Sequence, residues 1–228
     1  MRIVTIVGIR KSGKTSTVEA LLGEIARRGR SAGTCKTIFC PTFSMDDPKS
    51  NTARHTRAGS KLVCSRAQNE TALLYPQQLA LSRIAAFYAD MDYLLLEGDY
   101  RAPVPRIVCA HTQKDALPRI NDRTICCAGR VSTQPELLPV PVINALADPG
   151  TLLTLIDEAV SDEAPSTALD EQLPPVEGVL SGAACQCGCH HNEQKQAAVR
   201  VTVGGRELKL TPEQLDTVQA WAGEAQDG

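Results

Sequence analysis

The sequence predicts an α/β chain with a mostly parallel sheet covered by helices on both faces, followed by a small C-terminal β-hairpin and helix. Three observations carry that expectation. The chain opens on an apolar run, Ile3 to Val7, which leads into a glycine-rich turn and then a helical pattern. Short apolar strand patterns alternate with helical ones as far as residue 160, as expected when parallel strands are joined by crossover helices. After residue 178 the pattern changes to Val199, Val201 and Val203 alternating with polar residues ahead of Gly204-Gly205, a two-residue hairpin signal.

Residues 2–7 read as the first strand. The turn after it, Gly8-Ile9-Arg10-Lys11-Ser12-Gly13-Lys14-Thr15, has the form G-x-x-x-x-G-K-T, the P-loop pattern. Backbone N–H groups must converge on phosphate oxygens, so glycine is needed where a Cβ would clash or φ must be positive. Gly8 and Gly13 take that role, and Arg10, Lys11, Ser12 and Ser16 complete the nucleotide-facing set. Lys14 is placed to reach the β and γ phosphates and the Thr15 hydroxyl to ligate Mg²⁺. The helix behind the loop carries Val18, Leu21, Leu22 and Ile25 at helical spacing before Gly29 stops it and aims its N-terminus at the anion.

Residues 31–37 form a second predicted strand. A long polar loop, Cys40 to Asn51, follows, and loops of this length are commonly functional. Thr52 to Gly59 is a short helical patch with Arg54, His55 and Arg57. Residues 61–66 and 72–74 read as short strands, and Pro76 to Tyr88 as an amphipathic helix. The next strand runs from Asp92 to an acid at its end, Glu97. An acid there acts on the Mg²⁺ shell or orients a water, because the strand ends beside the phosphates; the other role open to Glu97 is to cap a strand-to-loop turn.

Residues 106–111 form a further strand, followed by Thr112-Gln113-Lys114-Asp115. The position resembles the guanine-specifying Asn-Lys-x-Asp loop of GTPases, with Asp115 as the base contact, although Thr112 and Gln113 replace its first two residues; an ordinary solvated loop is the alternative. Residues 124–128 and 140–144 complete the strands, and Pro149 to Val160 is the closing helix. The expected organisation is a nucleotide-binding domain over 1–160, a linker over 161–178 and a terminal module over 179–228. In that module Thr211-Pro212-Glu213-Gln214 supplies the cap of a final helix.

Composition narrows the function. At 228 residues there is room for one α/β domain of about 150 residues and an appendage. A formal net charge of -2 argues against general attraction to nucleic acid. No run approaches the roughly 18 apolar residues of a membrane span, and the N-terminal residues are spent on strand and P-loop rather than a signal peptide. The expectation is a cytoplasmic protein. Nine cysteines, an odd number, do not look like a secreted disulfide framework; several of the six in the first domain read as small buried hydrophobes. The other three stand in Cys185-Gln186-Cys187-Gly188-Cys189-His190-His191. Thiolate and imidazole at that density suit Zn²⁺, Ni²⁺, Cu⁺ or an iron-sulfur centre, with a redox-sensitive segment lacking any metal as the alternative.

The ordered set Gly8 to Thr15, Gly33-Thr34-Cys35-Lys36, Asp47-Pro48, Thr52, Arg54-His55, Ala58-Gly59-Ser60, Leu96-Glu97-Gly98 and Pro105-Arg106-Ile107 resembles the molybdopterin-guanine dinucleotide biosynthesis protein MobB family over roughly residues 1–160. Thr37 and Ser50-Asn51 depart from its common pattern. The resemblance implies a dimeric, weakly hydrolysing adaptor that binds GTP and Mg²⁺ and assists the molybdopterin guanylyltransferase in maturing a molybdenum or tungsten cofactor. It implies Thr15, Glu97 and Asp47 around Mg²⁺, Lys14 and Glu97 in hydrolysis, and a substrate loop in which Asp47, Arg54, His55 and Arg57 face phosphate or pterin. An apo-metalloenzyme is a further expected partner; nucleic acid and membrane are not. Two other readings stay open: a nickel-type metal-inserting GTPase using Cys185 to His191, and an adaptor that binds nucleotide without turning it over. A small-molecule kinase is disfavoured because no arginine-rich lid segment stands out.

Overall fold

The computed structural model describes residues 1–40, 42–133, 138–162, 168–170, 201–203 and 206–208. The first strand, β1 (Arg2–Gly8), is buried from Ile3 onward, which leaves its backbone groups no partner but neighbouring strands. It pairs in parallel with β5 (Tyr93–Glu97) on one side and β6 (Arg106–Cys109) on the other. Outside these lie β2 (Ala32–Lys36), parallel to β5, and β7 (Thr124–Ala128), parallel to β6. The strand order is therefore β2-β5-β1-β6-β7, and the mostly parallel sheet expected from the sequence is the observed one.

Alternation along β1 assigns its faces. Val4 and Ile6 pack with Leu95, Ile107 and Cys126 against Val18, Leu21 and Ile25 of α1 (Lys14–Arg27) and Leu152, Leu153 and Ile156 of α5 (Pro149–Ala159). On the other face Ile3 meets Leu94, Leu96, Ala102 and Val104, and Val7 meets Val108, Cys127 and Val131. Cys109, Cys126 and Cys127 are fully buried. Burial pushes the Cys109 and Cys127 thiols up to about 11 and Cys126 higher still, so they behave as apolar packing groups.

α1 and α5 are also joined by charge. The Glu24 carboxylate accepts from Arg27 Nε at 2.7 Å and from Arg28 Nε at 2.8 Å, and Arg28 Nη2 donates to the Gly150 carbonyl at 2.8 Å. Asp157 of α5 receives Arg28, Arg30 and the Tyr93 hydroxyl.

The crossover from β2 to β5 carries a smaller assembly. It comprises α2 (Asn51–Arg57), the antiparallel pair β3 (Val63–Arg66) and β4 (Thr71–Leu74), and α3 (Leu81–Ala86). The helix expected over Pro76 to Tyr88 is cut to its second half. Its N-cap is Ala80, which offers no side-chain acceptor, and Ala85 is its one buried residue. The strand expected over 140–144 shrinks to a single bridge between Val142 and Cys127, because Pro139 and Pro141, both just ahead of Val142, lack ladder donors. The strand expected to reach His111 stops at Cys109, and Gln113–Ala116 forms a one-turn helix, α4.

Two compact units divide at Cys187/Gly188. Leu169, inside the segment read as a linker, is buried against the Ile3 face of the sheet, and Asp170 accepts from Ser82 N at 3.0 Å. In the second unit β8 (Val201–Val203) and β9 (Arg206–Leu208) pair antiparallel with Val203 opposite Arg206, as the Gly204-Gly205 signal requires. The final helix and Cys185, Cys187, Cys189, His190 and His191 lie outside the described residues.

Candidate functional site

The site forms where β1 ends. Gly8 has φ 150°, and a Cβ there would lie 2.0 Å from the Cys109 carbonyl oxygen, so only glycine lets β1 turn away beside β6. Lys11 adopts φ 60°, a left-handed conformation uncommon outside glycine, and its side chain is exposed, as is that of Arg10. Ser12 is buried and its hydroxyl donates to the Ile9 carbonyl at 2.8 Å; it shapes the loop rather than facing outward. Gly13 is the N-cap of α1, with no side-chain cap bond. The first amides of α1 are thus left for an anion, the arrangement a helix N-terminus offers to phosphate.

Three functional side chains expected from the sequence come together here. Lys14 Nζ donates to the carbonyls of Gly8 at 3.0 Å and Ile9 at 2.6 Å, folded back over the loop it belongs to. Burial lowers its basicity, opposed by the nearby Cys109 and Glu97. Thr15 Oγ1 donates to Glu97 Oε1 at 2.9 Å. This pair of hard oxygen groups, on different elements at one point, fits Mg²⁺, which takes few protein oxygens and fills its octahedron with water and phosphate. Ser16 follows, half-buried, in the first turn of α1.

Other predicted residues have local occupations. Asp47 Oδ1 accepts from Lys49 N at 2.8 Å, closing its own turn. The neighbouring Asp46 carboxyl is held below the usual range by the hydroxyls of Thr52 and Ser50. Ser50 caps α2 through Ala53 N at 2.9 Å, and Arg54, His55 and Arg57 project from that helix, all exposed. Arg57 Nη1 donates to the Pro48 carbonyl at 2.8 Å, tying helix to loop. Asp115 forms a reciprocal cap at the start of α4: Thr112 Oγ1 donates to its Oδ2 at 3.0 Å and accepts from its N–H at 3.4 Å. Among the described residues no cluster of three or more His, Cys, Asp or Glu side chains forms a metal centre.

Gly129, Tyr100 and His111, which the sequence did not single out, brace the loop, and Lys36, which ends the Gly33-Thr34-Cys35-Lys36 segment, joins Glu97. Gly129, just past β7, has φ 80°, and a Cβ there would lie 2.1 Å from the Ser12 carbonyl oxygen. The Tyr100 hydroxyl accepts from Gly8 N at 2.8 Å, and His111 Nε2 lies 3.1 Å from the Arg10 carbonyl. Lys36 closes an ion pair with Glu97 at 3.1 Å. A glycine at the carboxyl end of an apolar strand was the one available signal for Gly129; the others depend on strand order.

Comparison with known proteins bears on the family and the fold. The family model described as molybdopterin guanine dinucleotide synthesis protein B, MobB, matches residues 3–128. A probable molybdopterin-guanine dinucleotide biosynthesis adapter protein from Bacillus subtilis (strain 168) is 28% identical over 125 residues, spanning 52% of this chain and 72% of that protein. The crystal structure of Bacillus subtilis MobB superposes with a TM-score of 0.55 at 24% identity, covering 72% of this chain and all of that one. A second structure, of molybdopterin-guanine biosynthesis protein B, gives 0.51 at 16% identity over 68% of this chain and 99% of the other. These two likenesses establish the fold, and the family model, covering more than half the chain from β1 to the end of β7, establishes the kinship: the chain belongs to the MobB family.

Proposed function

We propose that the chain is a GTP-binding, slowly hydrolysing accessory protein that assists the formation or delivery of molybdopterin guanine dinucleotide in molybdenum or tungsten cofactor maturation. The observation that carries this reading is the meeting of Thr15 and Glu97 at 2.9 Å beside an α1 N-terminus without a side-chain cap. The cargo is suggested by the family and by the name of the Bacillus subtilis relative.

On this reading Lys14 leaves the Gly8 and Ile9 carbonyls for the β and γ phosphates, and the loop amides hold the same oxygens. Thr15 and Glu97 hold Mg²⁺, which supplies charge neutralisation at the phosphates when bound. Asp115 contacts guanine only after releasing Thr112. Arg54, His55 and Arg57 offer exposed cationic or titratable groups to a phosphate or pterin, with Asp47 shaping the loop that presents them and joining the metal shell if that loop closes. The molybdopterin guanylyltransferase completes the site and accelerates turnover. A second copy of the chain has a fitting surface at the β3-β4 hairpin, where Leu62, just before β3, and Leu73 of β4 are 42% and 50% exposed and where, among the described residues, the two strands pair with each other alone. The density of ligands in Cys185 to His191 favours a second reading, metal insertion; stoichiometric nickel, lost when the three cysteines become serine, would establish it.

Single-turnover hydrolysis of GTP and ATP, with and without the guanylyltransferase, tests the first reading. Slow GTP turnover that the partner accelerates is expected. Equal use of ATP, or indifference to the partner, would overturn it.

A further inference from the structure

The nucleotide reading absorbs Lys14, Thr15 and Glu97 but leaves one charged group at the same point without a task. Lys36 ends β2 in register with Glu97 at the end of β5. Its Nζ lies 3.1 Å from Glu97 Oε1, the same oxygen that accepts from Thr15 Oγ1. One carboxylate oxygen therefore serves a hydroxyl and an ammonium where a divalent cation would be held. The Lys36 side chain is 59% exposed and that of Glu97 only 12%. An ion pair with one partner largely in water adds little to stability, so fold maintenance does not explain the placement.

We propose that Lys36 is an exchangeable cation of the phosphate site: without nucleotide it neutralises Glu97, and when Mg²⁺ takes Glu97 and Thr15 it is released to the terminal phosphate. This rests on the nucleotide reading above. The lysine stem is flexible and its head is a compact, strongly hydrated charge, suited to moving between two anions within one site. Two effects follow. Mg²⁺ must displace an ammonium before it can bind Glu97, so Lys36 raises the metal concentration required. A terminal phosphate offers the released ammonium a new anion, whereas a diphosphate leaves it in water. Lys36 thereby favours triphosphate over diphosphate without a residue from another subunit.

The test uses the full chain and its Lys36→Met and Lys36→Arg variants, with fluorescent GTP and GDP titrated at increasing Mg²⁺ and in EDTA. Lys36→Met is expected to lower the Mg²⁺ midpoint for GDP about tenfold and to shrink the GTP-over-GDP preference about tenfold, the scale of one charge-assisted contact. Lys36→Arg should keep the preference, and GDP affinity in EDTA should stay within about twofold throughout. An unchanged midpoint and preference in Lys36→Met, with nucleotide still bound, overturns this proposal alone. A wild-type chain that binds neither nucleotide overturns the nucleotide reading, and this proposal with it.

Discussion

Glu24 shows how much a single side chain does away from the site. It sits on α1 with its carboxylate held by Arg27 and Arg28, and Arg28 reaches on to Gly150 and Asp157 of α5. Those hydrogen bonds, Arg27 first and then Arg28, pull its carboxyl from 4.5 down to about 2. A group whose folded value is depressed stabilises the fold above its unfolded value and loses that contribution as pH falls through the folded one. The stabilisation is thus present above pH 4.5 and fades toward about pH 2. Glu24→Gln is expected to lower the melting temperature at neutral pH and to flatten its fall over that acid range; a parallel curve displaced by a constant amount would show that Glu24 is not the titrating group. None of this was legible in the sequence, because i,i+3 and i,i+4 charge pairs are common on exposed helix faces and only burial against α5 distinguishes this one.

At the scale of elements, legibility followed burial and local chemistry. β1 and β5 are apolar, bounded by turns and fully enclosed, and the sequence marks both. The loop after β1 was readable residue by residue because its glycine, lysine and threonine positions answer to phosphate chemistry. Elements that owe their limits to tertiary partners were not readable: α3 loses its first half, and residues 140–144 contribute one bridge. Ser12 and Asp115 were readable as positions but not as conformations, since their hydrogen bonds to Ile9 and Thr112 turn them to structural work. α2 buries no residue, so its stability rests on its cap and on the Arg57 bond to Pro48. Ser50→Ala is expected to cost about 1 kcal/mol of helix stability. Amide exchange across Asn51–Arg57 should quicken while that of β1 stays unchanged; equal protection in both proteins would mean that α2 is held by something other than Ser50.

For the whole molecule, the strand order explains why the site is where it is. β1 lies at the centre with β5 and β6 on its two sides, so its carboxyl end receives Glu97 from one neighbour, the Cys109 carbonyl contact from the other, and Gly129 from the strand beyond. Such convergence at the carboxyl ends is where open parallel sheets bind ligands. The sequence supplied the loop, the acid and Lys36 as a position, whereas Gly129, Tyr100, His111 and the pairing of Lys36 with Glu97 became visible only once the strands were ordered. The same order leaves the β3-β4 hairpin outside the main sheet. If that hairpin joins two copies, Leu73→Lys should convert a dimer to a monomer in sedimentation velocity with its melting temperature little changed; a wild-type monomer at micromolar concentration would remove the hairpin's proposed role.

The most direct test of the central claim is an equilibrium titration with fluorescent GTP, with and without Mg²⁺, on the wild type and on Lys14→Ala and Glu97→Gln. Saturable binding at one site is expected, weakened roughly 100-fold by loss of the Lys14 charge, with Glu97→Gln lowering affinity only when Mg²⁺ is present. Binding that survives Lys14→Ala unchanged, or a Glu97→Gln effect that persists in EDTA, would contradict the assignment of this loop as the phosphate site.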